Sequence, residues 1–88
     1  MLHSFPNTTL FRSKEYVKLV KSKAEEHKIS VRNARRKAKE AMDKAVKDGE
    51  VGEDEGARGE KELDALTKRQ VELIDEMAKN KEQELLEV

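Results

Sequence analysis

Residues 49–59 read GEVGEDEGARG and contain all four glycines of this 88-residue chain. Glycine has the lowest helix propensity of any residue except proline, so the cluster predicts a break in helical structure. On either side of it, residues 14–48 and 60–87 contain neither glycine nor proline and are rich in good helix formers. Acidic residues at 53–55 are typical of a helix start, because they lie at the positive end of the helix dipole. The sequence therefore predicts two long helices, over about 14–48 and 53–87.

The predicted fold class is all-α, an antiparallel two-helix hairpin, because a short turn makes the second helix run back beside the first. Apolar residues follow spacings of three and four in both segments, which is typical of a packed helix face. The apolar seam of the first helix consists of Val17, Val20, Ala24, His27, Val31, Ala34, Ala38, Ala41 and Ala45. The apolar stripe of the second consists of Leu63, Leu66, Val71, Ile74, Met77, Ala78, Leu85 and Leu86. Each is too wide for the other, which indicates an incomplete three-helix bundle.

The composition excludes several classes of site. Charged residues make up 43% of the chain and apolar residues 35%, and there is no cysteine, so disulfides and thiolate metal sites are excluded. The longest apolar run is two residues, too short to span a membrane. The residues suggest no nucleophile with a supporting base, and the glycine cluster lacks the ending of a phosphate-binding loop. We therefore expect a soluble, cytoplasmic protein that is not an enzyme and needs no cofactor or metal.

Residues 1–13, MLHSFPNTTLFRS, differ from the rest of the chain. They show no periodic pattern and contain the only proline, so they are predicted to be irregular. They are also predicted to be a non-native lead, joined to the helical hairpin of residues 14–88. A lineage-specific N-terminus is the alternative.

The formal net charge of zero hides a strong asymmetry between the two predicted helices. Residues 14–48 carry a net charge of +6, and residues 49–88 carry −7. Such an asymmetry is typical either of contact with nucleic acid or of two elements that pair through opposite charges.

Cations at helical spacing predict a basic face on the first helix. The segment from Lys28 to Lys39 contains no acidic residue, whereas a merely solvated helix face usually carries acids one turn from its bases. A row of cations suits a phosphate backbone, and the scarcity of aromatic residues favours folded RNA over single strands. No DNA partner is expected. The candidate RNA-binding residues are Lys21, Lys28, Arg32, Asn33, Arg35, Arg36 and Lys39, with Arg35 favoured first and Arg32 second.

Four blocks of sequence carry a resemblance to a known family. They are VRNARRKA at 31–38, GEVGEDE at 49–55, KELDALT at 61–67 and KEQELLEV at 81–88. In order and spacing they resemble the C-terminal part of bacterial ribosome recycling factors, and the resemblance covers residues 14–88. It implies that the two helices are the last two of the family's three-helix bundle.

The resemblance also implies a function. Members of the family enter the ribosome after termination and, with elongation factor G, split the subunits so that mRNA and tRNA leave. Their bundle contacts large-subunit RNA through the tract that corresponds here to Arg32, Asn33, Arg35 and Arg36. The factor catalyses no covalent step itself, which agrees with the expectation that this chain is not an enzyme.

Two alternatives do not depend on RNA. One is a structural coiled-coil hairpin that self-associates through its apolar seams and uses opposite charges to set the register. The other is an amphipathic helix on a membrane surface, which is disfavoured because the seam has too few large apolar side chains.

Overall fold

A computed structural model of the chain describes residues 4–87, with side chains over residues 12–86. It contains two helices, α1 (Ser4–Lys47) and α2 (Glu53–Glu87), and no strand within residues 4–87. The helices pack side by side and antiparallel, which gives a rod with extents of 73 × 15 × 9 Å. The prediction of an all-α antiparallel hairpin is confirmed.

Gly49 ends α1 and allows the chain to reverse. Its φ angle of +79° lies in the left-handed region, which glycine enters without the steric cost that a side chain brings. The N–H of Gly49 donates to the carbonyl of Val46, and the N–H of Glu50 donates to the carbonyl of Ala45. These two bonds satisfy carbonyl groups that the end of a helix otherwise leaves unpaired.

α1 begins ten residues earlier than expected, so the prediction of an irregular segment is wrong over residues 4–13. Residues 1–3 lie outside the described part of the chain. Pro6 is tolerated because it lies in the first turn, where a backbone N–H has no helical partner even when it is present. A proline at this position is compatible with a helix start and does not interrupt the helix.

The first turns of α2 lie close against α1. Gly56 is buried, and a Cβ atom added there would lie 2.5 Å from Cγ2 of Val46. A Cβ added at Gly59 would lie 3.0 Å from Sδ of Met42. The absence of a side chain at Gly56 therefore allows the helices to approach each other next to the turn.

α2 covers only one side of the predicted apolar seam of α1. Val17, Val20, Ala24, Val31, Ala38 and Ala45 are half-buried, whereas His27, Ala34 and Ala41 are exposed. On α2, the predicted apolar residues Leu66, Met77 and Leu86 are exposed as well. Within residues 12–86 no hydrophobic side chain is fully buried. A two-helix hairpin therefore leaves a large part of both apolar surfaces in contact with solvent.

Candidate nucleic-acid interface

The seven candidate RNA-binding residues divide into two sets. Lys28, Arg35 and Lys39 are half-buried and face α2. The others, Lys21, Arg32, Asn33 and Arg36, are exposed, and we call them the outward basic face. The basic row predicted from the sequence is therefore not a single outward surface.

The half-buried set forms a ladder of ion pairs between the helices. Lys28 Nζ lies 2.8 Å from Asp75 Oδ1, and Arg35 Nε lies 2.6 Å from Asp64 Oδ1. Lys39 Nζ lies 3.1 Å from Glu60 Oε1. These three pairs are the interhelix ladder, and they join the positively charged helix to the negatively charged one.

The ladder lies on the side of the apolar seam that α2 covers. Opposite charges on adjacent helices attract each other most strongly where the intervening water is partly excluded. At 100° per residue, Lys28, Arg35 and Lys39 lie beside the seam on the face that α2 covers. Helical periodicity alone places these residues beside the seam, but it does not show which side of the seam the second helix covers.

Lys28 is the most enclosed cation of the ladder, with a side chain that is only 14% exposed. Its ammonium group donates to Asp75 and also lies 2.7 Å from Glu25 Oε1 on its own helix. The hydrogen bond to Asp75, followed by that to Glu25, raises the pKa of Lys28 above its ordinary value of 10.5. A lysine held by two carboxylates is not available to a phosphate group unless these pairs break.

Arg32 and Arg36 are the two candidate arginines that α2 leaves accessible to a ligand. They lie one turn apart on α1, and within residues 12–86 neither has a carboxylate oxygen within 4 Å. Arg36 Nη2 donates to Asn33 Oδ1 at 3.3 Å, which holds the guanidinium near the helix surface. Lys21 lies three turns before Arg32 and within about 20° of it around the axis, so it extends the same face.

Neither a membrane-spanning helix nor a metal-binding cluster is found in the described residues. Across residues 4–87, no helix combines the length and apolar character that a membrane span requires. Among the side chains of residues 12–86, no three His, Asp or Glu groups lie close enough together to hold a metal ion.

Comparison with known proteins gives the family. The family model described as ribosome recycling factor matches residues 2–86 of this chain. The chain belongs to the ribosome recycling factor family. This confirms the resemblance carried by the four sequence blocks.

Individual family members are similar over nearly the whole chain. A ribosome-recycling factor of Micrococcus luteus is 93% identical over 83 residues, which cover 94% of this chain and 45% of that protein. The corresponding protein of an Arthrobacter species is 67% identical over 85 residues, or 97% of this chain and 46% of the relative. The corresponding protein of Streptomyces avermitilis is 58% identical over 84 residues, which cover 96% of this chain and 45% of that protein. This chain therefore spans slightly less than half the length of these recycling factors.

The family match includes residues 2–13, which are predicted to be a non-native lead because they do not resemble the family. The match gives that prediction no support.

Proposed function

We propose that this chain acts in ribosome recycling as a helical-hairpin part of a ribosome recycling factor. The family match over residues 2–86 supports this role. In this proposal the ribosome is the partner, and large-subunit ribosomal RNA is bound by the outward basic face of α1. One observation carries the assignment of this face: Arg32 and Arg36 are both exposed and, within residues 12–86, form no ion pair with a carboxylate.

The arginine side chains suit this partner. A guanidinium presents its donors in a planar fork that can bind a phosphate through two hydrogen bonds and can stack on a base. Two such groups one helical turn apart are separated by about 6 Å along the axis, close to the spacing of successive phosphates in a strand. Since no carboxylate among residues 12–86 neutralises them, both retain their full attraction for a polyanion.

Arg35 has a different part in this proposal from the one that the sequence suggests. Its Nε is committed to Asp64, but its side chain is 35% exposed, so the outer guanidinium nitrogens remain accessible. A residue of this kind can position α2 and still touch RNA at its edge. We therefore rank Arg32 and Arg36 above Arg35 as RNA contacts.

Elongation factor G is the second proposed partner, as the family resemblance implies. In this proposal the chain catalyses no covalent step, and nucleotide hydrolysis belongs to elongation factor G. The hairpin contributes a rigid rod whose charged face holds it against the large subunit.

Substitution of single arginines tests the RNA assignment. We expect Arg32→Ala and Arg36→Ala each to weaken binding to large-subunit RNA. Each should also reduce the slope of log K against the logarithm of the salt concentration by about one. Arg32→Lys should restore the salt dependence but not the full affinity, because lysine lacks the bidentate geometry. Fluorescence anisotropy at several salt concentrations measures both quantities.

The matched control is Arg69→Ala, which removes an exposed arginine from α2 and should leave RNA binding unchanged. The same substitutions in a full-length family member, assayed for subunit splitting with elongation factor G and GTP, test the function. If Arg32→Ala and Arg36→Ala bind RNA as the parent does at every salt concentration, the outward basic face is only a solvated surface.

A further inference from the structure

The acidic helix α2 carries a row of lysines beside the interhelix ladder. Lys61, Lys68 and Lys79 are separated by seven and eleven residues, so they lie within about 20° of one another around α2. All three are exposed, and among residues 12–86 no carboxylate oxygen lies within 4 Å of their ammonium groups. We call them the α2 basic row. They give a helix with a net negative charge one basic edge.

The α2 basic row lies on the same side of the rod as the ladder. Lys68 follows the ladder carboxylate Asp64 by four residues, so it lies about 40° further from α1 around the axis. Lys79 follows Asp75 in the same way. A polar hollow of about 370 Å³ at this end of the ladder is lined by both Lys21 of α1 and Lys79. The basic edges of the two helices therefore border the same face.

The ladder also shows which cations of the two helices lie at the same level of the rod. Arg35 and Asp64 are paired. One turn back along α1 from this pair is Arg32, and one turn forward along α2 is Lys68. The axes of two packed helices are about 8–10 Å apart, so cations at one level lie side by side. Three such level pairs follow from the ladder and the polar hollow: Lys21 with Lys79, Arg32 with Lys68 and Lys39 with Lys61.

These level pairs of like charge do not help the two helices to associate. A hairpin whose charges served only to hold α1 against α2 would carry acidic residues at positions 61, 68 and 79, opposite the cations of α1. Neighbouring like charges repel each other and destabilise helical structure instead. Two parallel rows of cations suit a surface that binds a polyanion, because the phosphates remove this repulsion when they bind.

The acidic residues on this face are mostly engaged by cations. The level pairs span residues 21–39 and 60–79. In these two stretches the ladder side contains four carboxylates that are paired with cations of α1: Glu25, Glu60, Asp64 and Asp75. Helical periodicity places one more carboxylate of these stretches at the edge of this side, that of Glu72, and Glu82 lies just beyond them. The cations outnumber these carboxylates, so the face has a net positive charge although α2 is acidic.

We propose that the α2 basic row and the cations of α1 level with it form one surface for double-stranded RNA, with one phosphate backbone along each helix. The proposal rests on the proposed function and extends the RNA contact from α1 across the ladder to α2. A-form RNA is recognised by its shape and by contacts to phosphates and 2′-hydroxyls across its wide minor groove. Two rows of cations therefore match the two backbones of a duplex, whereas a single strand needs only one row.

This face is separate from the exposed apolar surface of the hairpin. Leu66 and Met77 are 50% and 68% exposed, and at 100° per residue they lie on the other side of α2 from the ladder. A third helix packed on those side chains would leave the ladder side open.

Fluorescence anisotropy with a fully paired RNA duplex, and with one of its strands alone, tests the surface. We expect Lys68→Ala to weaken binding of the duplex about fivefold at about 0.1 M salt, and to reduce the slope of log K against log salt by about one. Binding of the single strand should change by less than about twofold, because the row on α1 is sufficient for one backbone. Arg32→Ala should weaken binding of both probes.

The matched control is Arg69→Ala, which removes the next residue along α2, exposed but rotated by 100° away from this face. It should leave binding of both probes unchanged. A triple variant, with alanine at positions 61, 68 and 79, should reduce the slope for the duplex by about three. Circular dichroism checks that each variant keeps its helix content.

The outcomes separate this inference from the proposed function. If Arg32→Ala weakens duplex binding and the triple variant does not, the RNA contact is confined to α1; the inference fails and the proposed function stands. If neither weakens it, both fail. A parent chain that binds the single strand but not the duplex would overturn the inference. Equal losses for the two probes in Lys68→Ala, or equal losses in Lys68→Ala and Arg69→Ala, would indicate an unspecific effect of charge and would overturn it as well.

Discussion

Among single residues, Lys28 shows how the charges of this hairpin contribute to its stability. Two carboxylates, one on each helix, surround its ammonium group at hydrogen-bonding distance. The raised pKa means that the folded state favours the protonated lysine more than the unfolded state does. This contribution to stability is complete below the unfolded pKa near 10.5 and is lost as the pH rises through the higher folded value.

The pH dependence of unfolding tests the environment of Lys28. We expect the parent chain to lose more stability than the Lys28→Arg variant as the pH rises above 10.5, because arginine stays protonated there. Because the two chains differ only at position 28, the difference between the two curves isolates that residue. Urea unfolding monitored by circular dichroism at a series of alkaline pH values measures it. Parallel curves would show that the two carboxylates do not hold the ammonium group in solution.

At the scale of an element, the start of α2 depends on its glycines in two different ways. A Cβ at Gly56 would meet the branched side chain of Val46, which is stiff and cannot turn aside. A Cβ at Gly59 would meet the thioether of Met42, an unbranched side chain that adapts to its surroundings. One glycine therefore allows a close approach that a larger residue would prevent, and the other mainly lowers helix propensity.

Alanine substitutions should separate these two roles. We expect Gly56→Ala to destabilise the hairpin by about 1–3 kcal/mol despite its gain in helix propensity, because the new methyl group overpacks the contact with Val46. Gly59→Ala should be neutral or stabilising by up to about 1 kcal/mol. Chemical denaturation gives both values. The double variant Gly56→Ala with Val46→Ala should recover part of the loss, and equal effects of the two glycine substitutions would contradict this account.

The bounds of these elements were largely predictable from the sequence. The glycine cluster correctly predicts the turn and the start of α2 at Glu53, and the last helical residue of α1, Lys47, lies one residue before the predicted end. The start of α1 was not predictable from composition, because the effect of Pro6 depends on whether it lies in the first turn of a helix or further in. The ion-pair partners of Arg35 and Lys39 could not be predicted from the sequence either, because they depend on which side of the seam α2 covers.

For the molecule as a whole, the shape limits the stability. The Cα atoms of the hairpin extend only 9 Å along its shortest axis, and within residues 12–86 no hydrophobic side chain is completely buried. Helices of this kind gain most of their stability from packing rather than from intrinsic propensity. The surface charges add little, since exposed ion pairs contribute roughly 0–1 kcal/mol each. The isolated hairpin should therefore be only marginally stable until its exposed apolar surface is covered.

Thermal melting should consequently depend on protein concentration. We expect the midpoint to rise as the concentration increases, because association stabilises the folded state by mass action. Circular dichroism over a wide concentration range measures this. A sharp melt of a monomer above about 60 °C would contradict the inference of a marginal hairpin, since that temperature is typical of domains with a complete core.

The position of the turn has a consequence for how quickly the hairpin folds. Gly56 meets Val46 only ten residues away along the chain, whereas Arg35 and Asp64 are 29 residues apart and Lys28 and Asp75 are 47 apart. Closing a longer loop costs more chain entropy, but each contact formed near the turn shortens the loop that the next one must close. We expect folding to start at the turn and to propagate outward along the two helices. It should occur within microseconds to milliseconds, as in helical proteins with mainly local contacts. Unfolding under mild conditions should run in the opposite order, with the ends that are far from the turn separating first.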